Sequence, residues 1–313
     1  MAYVDGKEPS GIFCRGYYTR AYLTAWDWRN GQLTLRWIFS SNDGNPTNLA
    51  YRGQGAHSLT VGDVDGDGRD EITYGACAID DDGQGLYSTG LGHGDAEHMS
   101  DMSPSRPGQE VWMIHESPAS YGSAGLEFRD ARTGALIFGV DGQNSDVGRG
   151  VAYDIDPRYP GYEMWGARGG LMSSTGVQIW SSHPSQMNFC VWWDADWLRE
   201  SLDGTTVYKW DWTNNANNSI FSPAGVSSIN GSKATPCLSA DIFGDWREEI
   251  IWPTSGNNEL RIYTTTIPAT NRFYTLMHDP QYRCAIGSIR DRTNQLRRCY
   301  ARGKHRGRMA ETF

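Results

Sequence analysis

No stretch of the sequence approaches the length and apolarity of a membrane span, and the N-terminus carries no leader-like apolar core. A membrane-spanning helix is therefore excluded, and no membrane partner is expected. The cysteines at Cys14, Cys77, Cys190, Cys237, Cys284 and Cys299 form no close pair and show no metal-ligand spacing. That speaks against both a zinc site and a small disulfide scaffold, and most are expected to be buried thiols. Helical periodicity of useful length is lacking as well. Positive charge is scarce outside one place. Against a formal net charge of −9, the basic residues Arg290, Arg292, Arg297, Arg298, Arg302, Lys304, Arg306 and Arg308 crowd the last stretch, facing only Asp291 and Glu311. That stretch has no strand or helix period, and the body it leaves behind is strongly acidic. No nucleic-acid partner is expected; bound divalent cations suit the acidic body better.

What the chain has in abundance is glycine (37), tyrosine (16) and tryptophan (13). This mixture fits short strands, tight turns and aromatic packing between sheets, with a minority of rings left as platforms for sugars. One stretch organises the rest: Leu59-Thr-Val-Gly-Asp-Val-Asp-Gly-Asp-Gly-Arg-Asp-Glu-Ile-Thr73. Asp63, Asp65 and Asp67, with Gly68 permitting a sharp turn, offer a hard cation the oxygen ligands it prefers. The acidic Glu71 comes too early for an EF-hand, and the flanks read as strands. The stretch is expected to be a strand–loop–strand calcium turn of Asp63, Asp65, Asp67 and Glu71.

The same pattern returns in looser form. An Asp ends one apolar run and a Glu opens the next at Asp101/Glu110, Asp154/Glu163, Asp194/Glu200 and Asp241/Glu249, with successive Asp positions 38, 53, 40 and 47 residues apart. A period of roughly 40 to 50 residues built from short strands is the mark of propeller blades. Asn30-Gly31 and Thr133-Gly134 read as hairpins between outer strands, and Ile12–Arg20 reads as an inner strand. The expected fold is all-β, a β-propeller of about six blade-like units, the last incomplete.

In a propeller the inner strands line a channel, and equivalent positions in successive blades converge on it. At the end of each inner strand opposite the Asp stand His57, then His93 with Asp95, then Arg149, Asn188 and Lys233. A propeller mouth is wet and polar in any case. Two histidines, an arginine, a lysine and carboxylates together shift the reading toward an anionic ligand and proton abstraction beside a carboxylate.

The segments AHSLTVGDVDGDGRDEI, GLGHGDAEH, SDVGRGVAYDIDPRYPGYEMW, NFCVWWDADWLRE, NGSKATPCLSADIFGDWREEIIW and RIYTTTIPATNRFYTLMHDPQYR resemble rhamnogalacturonan lyases of polysaccharide lyase family 11. The resemblance implies an eight-bladed, calcium-rich propeller that cleaves the α-1,4 bond between rhamnose and galacturonate in rhamnogalacturonan I, a pectic polysaccharide, by β-elimination. It further implies that Lys233 and Arg149 share the roles of base and charge neutraliser, in an order the sequence leaves open. Asn230, Gly231 and Ser232 match a substrate-contacting loop, with Ser where Thr is the family residue. His57, His93, Asp95 and Glu116 match ligands of a cation near the channel.

Two departures from the family qualify these expectations. The chain is shorter at its N-terminus, so residues 1–286 are expected to form a truncated propeller of five to six blades, prone to self-association through open edges. After Ile286 the sequence diverges, and 287–313 is expected to be a basic tail outside the propeller, lacking the family's candidate catalytic tyrosine. The alternative function is a calcium-stabilised propeller that binds acidic polysaccharide without catalysis. A calcium-loop adhesion propeller of the integrin type is a weaker third reading. A pectic substrate implies a secreted or periplasmic bacterial protein, an intracellular one acting on imported oligosaccharides being the other case.

Overall fold

The computed structural model describes residues 1–287, and over them the chain folds into six small antiparallel sheets taken strictly in sequence order. The first holds β1 (Ser10–Arg15), β2 (Tyr22–Arg29) and β3 (Gln32–Ser40). The second holds β4 (Thr60–Gly62), β5 (Glu71–Thr73), β6 (Cys77–Ile79) and β7 (Gly85–Ser88). The third comprises β8 (Gly94–Ser100), β9 (Glu110–His115), β10 (Leu126–Asp130) and β11 (Leu136–Val140). In the fourth are β12 (Gly150–Tyr153), β13 (Glu163–Gly166), β14 (Leu171–Ser173) and β15 (Gln178–Trp180). The fifth contains β16 (Phe189–Val191), β17 (Glu200–Asp203), β18 (Thr206–Asp211) and β19 (Ala216–Phe221). The sixth is three-stranded, with β20 (Leu238–Ala240), β21 (Glu249–Pro253) and β22 (Leu260–Tyr263).

Each sheet is a meander because the turns are local and their chemistry is written in the sequence. Asn30 and Gly31 both take positive φ (53° and 77°) and join Arg29 to its partner Gln32. This is the two-residue hairpin whose twist matches that of the flanking strands. At the β10–β11 turn, Asp130 Oδ1 accepts the Thr133 N–H at 2.8 Å, and Gly134 sits at φ 72°. Every repeat Glu opens the second strand of its sheet, and every repeat Asp lies just past the first. One strand is shorter than expected. The extended run ends at Arg15, because Gly16 turns left-handed (φ 79°) and sends Tyr17 and Tyr18 out of the sheet.

The core lies between neighbouring sheets, where the aromatics are spent as the composition suggested. Trp112, Phe128, Tyr153 and Trp165 close the space between the third and fourth sheets, and Phe189, Trp193 and Trp252 that between the fifth and sixth. Trp112, Trp165 and Trp252 are fully buried, so truncating any of them to alanine is expected to cost ~3–5 kcal/mol. Cys77 and Cys284 are buried among apolar neighbours.

After the sixth sheet a short helix, α2 (Pro280–Ile286), returns to the second; α1 is the single turn Pro118–Tyr121. Asp279 caps α2 by accepting the Gln281 N–H at 2.8 Å, and Pro280 occupies its first turn, where no N–H is needed. Gln281 Nε2 donates to Val61 O on β4 (3.0 Å) and to Gln109 Oε1 (2.8 Å). The Tyr282 hydroxyl donates to Glu248 Oε1 (2.7 Å) and accepts the Asp241 N–H (2.9 Å). Three sheets are thus tied together at the end where the Asp-to-Glu turns lie. Among the described residues no helix is long and apolar enough to cross a membrane.

Candidate active site and cation-binding turns

The five polar residues expected at one mouth all stand just ahead of the first strand of their sheets. His57 precedes β4, His93 adjoins β8, Arg149 adjoins β12, Asn188 adjoins β16, and Lys233 lies in the turn Gly231–Lys233 before β20.

The structure brings His57, His93 and Asp95 together, with one ligand atom of each within 4.8 Å of the others. His57 Nε2 is 3.4 Å and His93 Nε2 3.9 Å from Asp95 Oδ1, and Glu116 Oε2 is 3.2 Å from His93 Nε2. His93 Nδ1 is 2.6 Å from the Gly55 carbonyl oxygen. A neutral ring therefore carries its proton on Nδ1 and turns the Nε2 lone pair toward the two carboxylates. That Nε2 is buried and makes no hydrogen bond. Facing two carboxylates, this nitrogen calls for positive charge, met by its own proton or by an ion, and two imidazoles with two carboxylates are residue types a divalent cation takes. Two imidazoles are softer donors than calcium usually takes.

Beside this cluster, Arg149 Nη1 donates to Asn188 Oδ1 (2.9 Å), and Asn188 Nδ2 donates to Asp203 Oδ1 (2.9 Å). Burial lowers the Lys233 ammonium below the usual lysine range; the Arg149 charge adds to the lowering, while Asp95 and Asp146 oppose it. Lys233 is thereby placed within electrostatic reach of both Arg149 and the histidine cluster. The turn that carries it is strained. Asn230 (φ 68°), Gly231 (φ 56°) and Ala234 (φ 47°) are all left-handed, a conformation costing a non-glycine residue ~1–2 kcal/mol. The bridge between Ile229 and Thr235 clamps it shut. Asn230 Nδ2 is buried without a hydrogen-bond partner, leaving a donor for a ligand. Gly231 is exposed, and Ser232 belongs to the same turn, its side chain lying outside the described residues.

Sequence reasoning missed Tyr17, Tyr18 and Asp146. The Tyr17 ring stacks on His93 at 5.0 Å, and Tyr18 lies 4.4 Å from it. Burial, then the charges of Glu116 and Asp95, raise the Tyr18 phenol. Burial and then Asp95 push the Asp146 carboxyl up, against His93 and Lys233. The two tyrosines had read as strand residues; the only sign otherwise was the glycine before them.

At the opposite end, Asp63, Asp65 and Glu71 bring one ligand oxygen each within 4.8 Å, and Glu71 forms a second such group with Asp80 and Asp81. Asp67 is not in either group. Its Oδ1 accepts the Arg69 N–H at 2.8 Å, a turn bond of the same kind as those that Asp63 Oδ1 accepts from Gly66 (2.7 Å) and Asp65 Oδ1 from Asp67 (3.1 Å). Glu71 is fully buried. Its Oε2 accepts the Val64 N–H (2.7 Å), but its Oε1 has no hydrogen-bond partner. Burial, with Asp65, Asp80 and Asp63 adding, pushes this carboxyl up to about 8. A buried carboxylate oxygen aimed at two more carboxylates fits a hard cation with oxygen ligands.

Fold and site together define an all-β repeat protein with clustered carboxylates in turns at one end and a histidine–carboxylate cluster, within electrostatic reach of a lysine and an arginine, at the other. The chain belongs to the rhamnogalacturonan lyase family 11, whose C-terminal domain it matches over residues 1–300. It is 53% identical over 287 residues to the rhamnogalacturonan endolyase YesW of Bacillus subtilis (strain 168), a match covering 91% of this chain and 45% of that protein. It is 52% identical over 301 residues to the rhamnogalacturonan exolyase YesX of the same organism, with 91% and 48% covered. Among solved structures, the Bacillus licheniformis rhamnogalacturonan lyase PL11 superposes with a TM-score of 0.90 at 52% identity, over 96% of this chain and 50% of that one. The chain spans about half the length of the relatives it matches.

Proposed function

We propose that this chain carries the catalytic end of a calcium-dependent rhamnogalacturonan lyase, its six meanders being consecutive propeller blades. The substrate is the pectic polysaccharide rhamnogalacturonan I, cleaved at the rhamnose–galacturonate α-1,4 bond by β-elimination. The observation that carries the reading is Lys233, lowered by burial and by Arg149 and within electrostatic reach of Asp95, which gathers with His57 and His93. Members of the matching family named for this activity support it.

Lys233 takes the part of base and Arg149 that of charge neutraliser, because a guanidinium does not deprotonate near neutrality whereas a desolvated lysine does. Lys233 Nζ removes the proton from C5 of the galacturonate. The electron pair passes through the carboxylate carbon as an enolate-like state and then forms the C4–C5 double bond. The C4–O4 bond breaks with its pair on O4, which leaves with the rhamnose and takes a proton from solvent. Arg149, held by Asn188, offsets the uronate charge as it spreads, the largest contribution expected in such a reaction. A divalent ion held by His57, His93, Asp95 and Glu116 would supply further neutralisation of that carboxylate. Asn230 Nδ2 and Gly231 offer polar contacts to the sugar. A polymeric pectic substrate favours a secreted or periplasmic bacterial protein, an intracellular one acting on imported oligosaccharides being the other case.

The test is absorbance of the unsaturated uronate released from rhamnogalacturonan I, with calcium and after chelation. Lys233→Ala is expected to abolish the signal with melting unchanged. Retention of the polysaccharide by folded protein with no absorbance change would replace this reading by binding without catalysis.

A further inference from the structure

In all five Asp-to-Glu turns the glutamate Oε2 accepts backbone N–H groups of the turn: Val64, Met102 with Ser103, Ile155 with Asp156, Trp193 with Asp194, and Ile242 with Phe243. The other oxygen separates the turns. Oε1 of Glu71 and of Glu163 is buried without a hydrogen-bond partner, and Oε1 of Glu249 accepts the Thr264 hydroxyl at 3.1 Å. Oε1 of Glu200 instead meets the Lys209 ammonium at 2.5 Å. The same Nζ lies 2.9 Å from Asp194 Oδ2 and 2.9 Å from Asp196 Oδ1. Asp194, Asp196 and Glu200 gather their ligand oxygens within 4.8 Å, as Asp63, Asp65 and Glu71 do.

We propose that Lys209 Nζ is the resident cation of the Asp194–Glu200 turn, which therefore binds no divalent ion and keeps its shape whatever the metal supply. The ammonium donates to Asp196 Oδ1 and Glu200 Oε1, and Asp194 Oδ2 stands at ion-pair distance, so three carboxylates surround its charge. Lys209 is fixed in β18, paired with Asn218 on β19, and its side chain is only 18% exposed. A divalent ion would have to strip the ammonium of three contacts and then sit beside its charge. Burial works against the charged ammonium, but Glu200 and Asp196 outweigh it and raise Lys209 above the usual lysine range.

The sequence shows the same division. Nine residues after Glu200 stands Lys209; nine after Glu71 stands Asp80. At that offset one turn adds an ammonium, and the other adds carboxylates that join Glu71 in a second ligand group. Arg69 Nη1 reaches Asp81 Oδ2 at 2.8 Å, but Glu71 Oε1 itself is left without a partner, whereas Glu200 Oε1 holds the ammonium.

The experiment counts bound calcium by calorimetric titration of the wild-type chain, Asp196→Asn, Lys209→Met and the double variant, with melting followed with and without calcium. Asp196→Asn is expected to bind as many ions as wild type. Lys209→Met is expected to bind one more per chain, to melt lower without calcium and to recover when calcium is added; the double variant loses the added ion. An Asp196→Asn protein one ion short of wild type, or a folded Lys209→Met protein with no added ion, overturns the proposal. If Lys209→Met does not fold, the Asp196→Asn count decides alone. None of these readouts depends on lyase activity.

Discussion

Replacing Tyr282 by phenylalanine tests whether α2 is the clasp between the sixth sheet and the sheets it returns to. The ring is retained and fits the same space, so the change removes one oxygen and two hydrogen bonds. Tyr282 is 1% exposed, which leaves no water to replace them. The Asp241 N–H is left as an unpaired buried donor, at about 1–3 kcal/mol. Glu248 loses a charge-assisted bond to Oε1, while its Oε2 keeps the Trp192 N–H (3.0 Å) and Arg199 Nη1 (3.2 Å), so this loss is smaller. The sum is about 2–4 kcal/mol, a fall in melting temperature of roughly 3–7 °C for a domain of this size. Melting by tryptophan fluorescence is the assay, because Trp246 packs in the same cluster as Tyr282. Glu248→Gln in the same background should be markedly less costly than in wild type, since the two residues share a bond. A Tyr282→Phe protein within about 0.5 kcal/mol of wild type would refute the argument.

Three further expectations follow from single positions. Glu110 is pushed up to about 7, chiefly by burial, from the usual 4.5. A carboxyl raised in the folded state stabilises fully below its unfolded value and loses that stability as pH rises through the folded one. Wild type should therefore lose about 2 kcal/mol relative to Glu110→Gln between pH 4.5 and 7, a discounted figure from ~1.4 kcal/mol per pH unit, read from paired denaturant titrations. In Gly94→Ala the new Cβ would lie 1.8 Å from the Ile114 carbonyl oxygen of the paired strand, so a loss of at least ~1–3 kcal/mol is expected, with the neighbouring His93 displaced. A melting curve equal to wild type would show that β8 can shift without cost. Asp95→Asn keeps the shape but removes the charge facing both histidines, and should weaken cation binding at that end about tenfold or more in calorimetric titration, with unchanged affinity counting against the cluster as a cation site.

The sequence by itself determined the turns and hence the strand order. Asn30-Gly31 can hardly be anything but a tight hairpin, and an Asp ending one apolar run with a Glu opening the next sets both strand ends within a dozen residues. It also placed His57, His93, Arg149 and Lys233 at corresponding points of their repeats, which is why their meeting at one end was foreseeable. What it did not determine depends on how a residue faces groups far along the chain. Asp67 shares the spacing of Asp63 and Asp65 and accepts a turn N–H as they do, yet it is Asp63 and Asp65 whose oxygens gather with Glu71. Tyr17 and Tyr18 look like strand residues until Gly16 turns them onto His93. The helix after Asp279 is too short to show a period, and only its bonds to Val61, Gln109 and Asp241 reveal its part in joining sheets. Lys209 reads as an ordinary strand lysine; packing of β18 against the turn puts its ammonium among three carboxylates. Turn chemistry acts over a few bonds and is written locally. Charge and ligand geometry act through space, and the packing of sheet on sheet decides them.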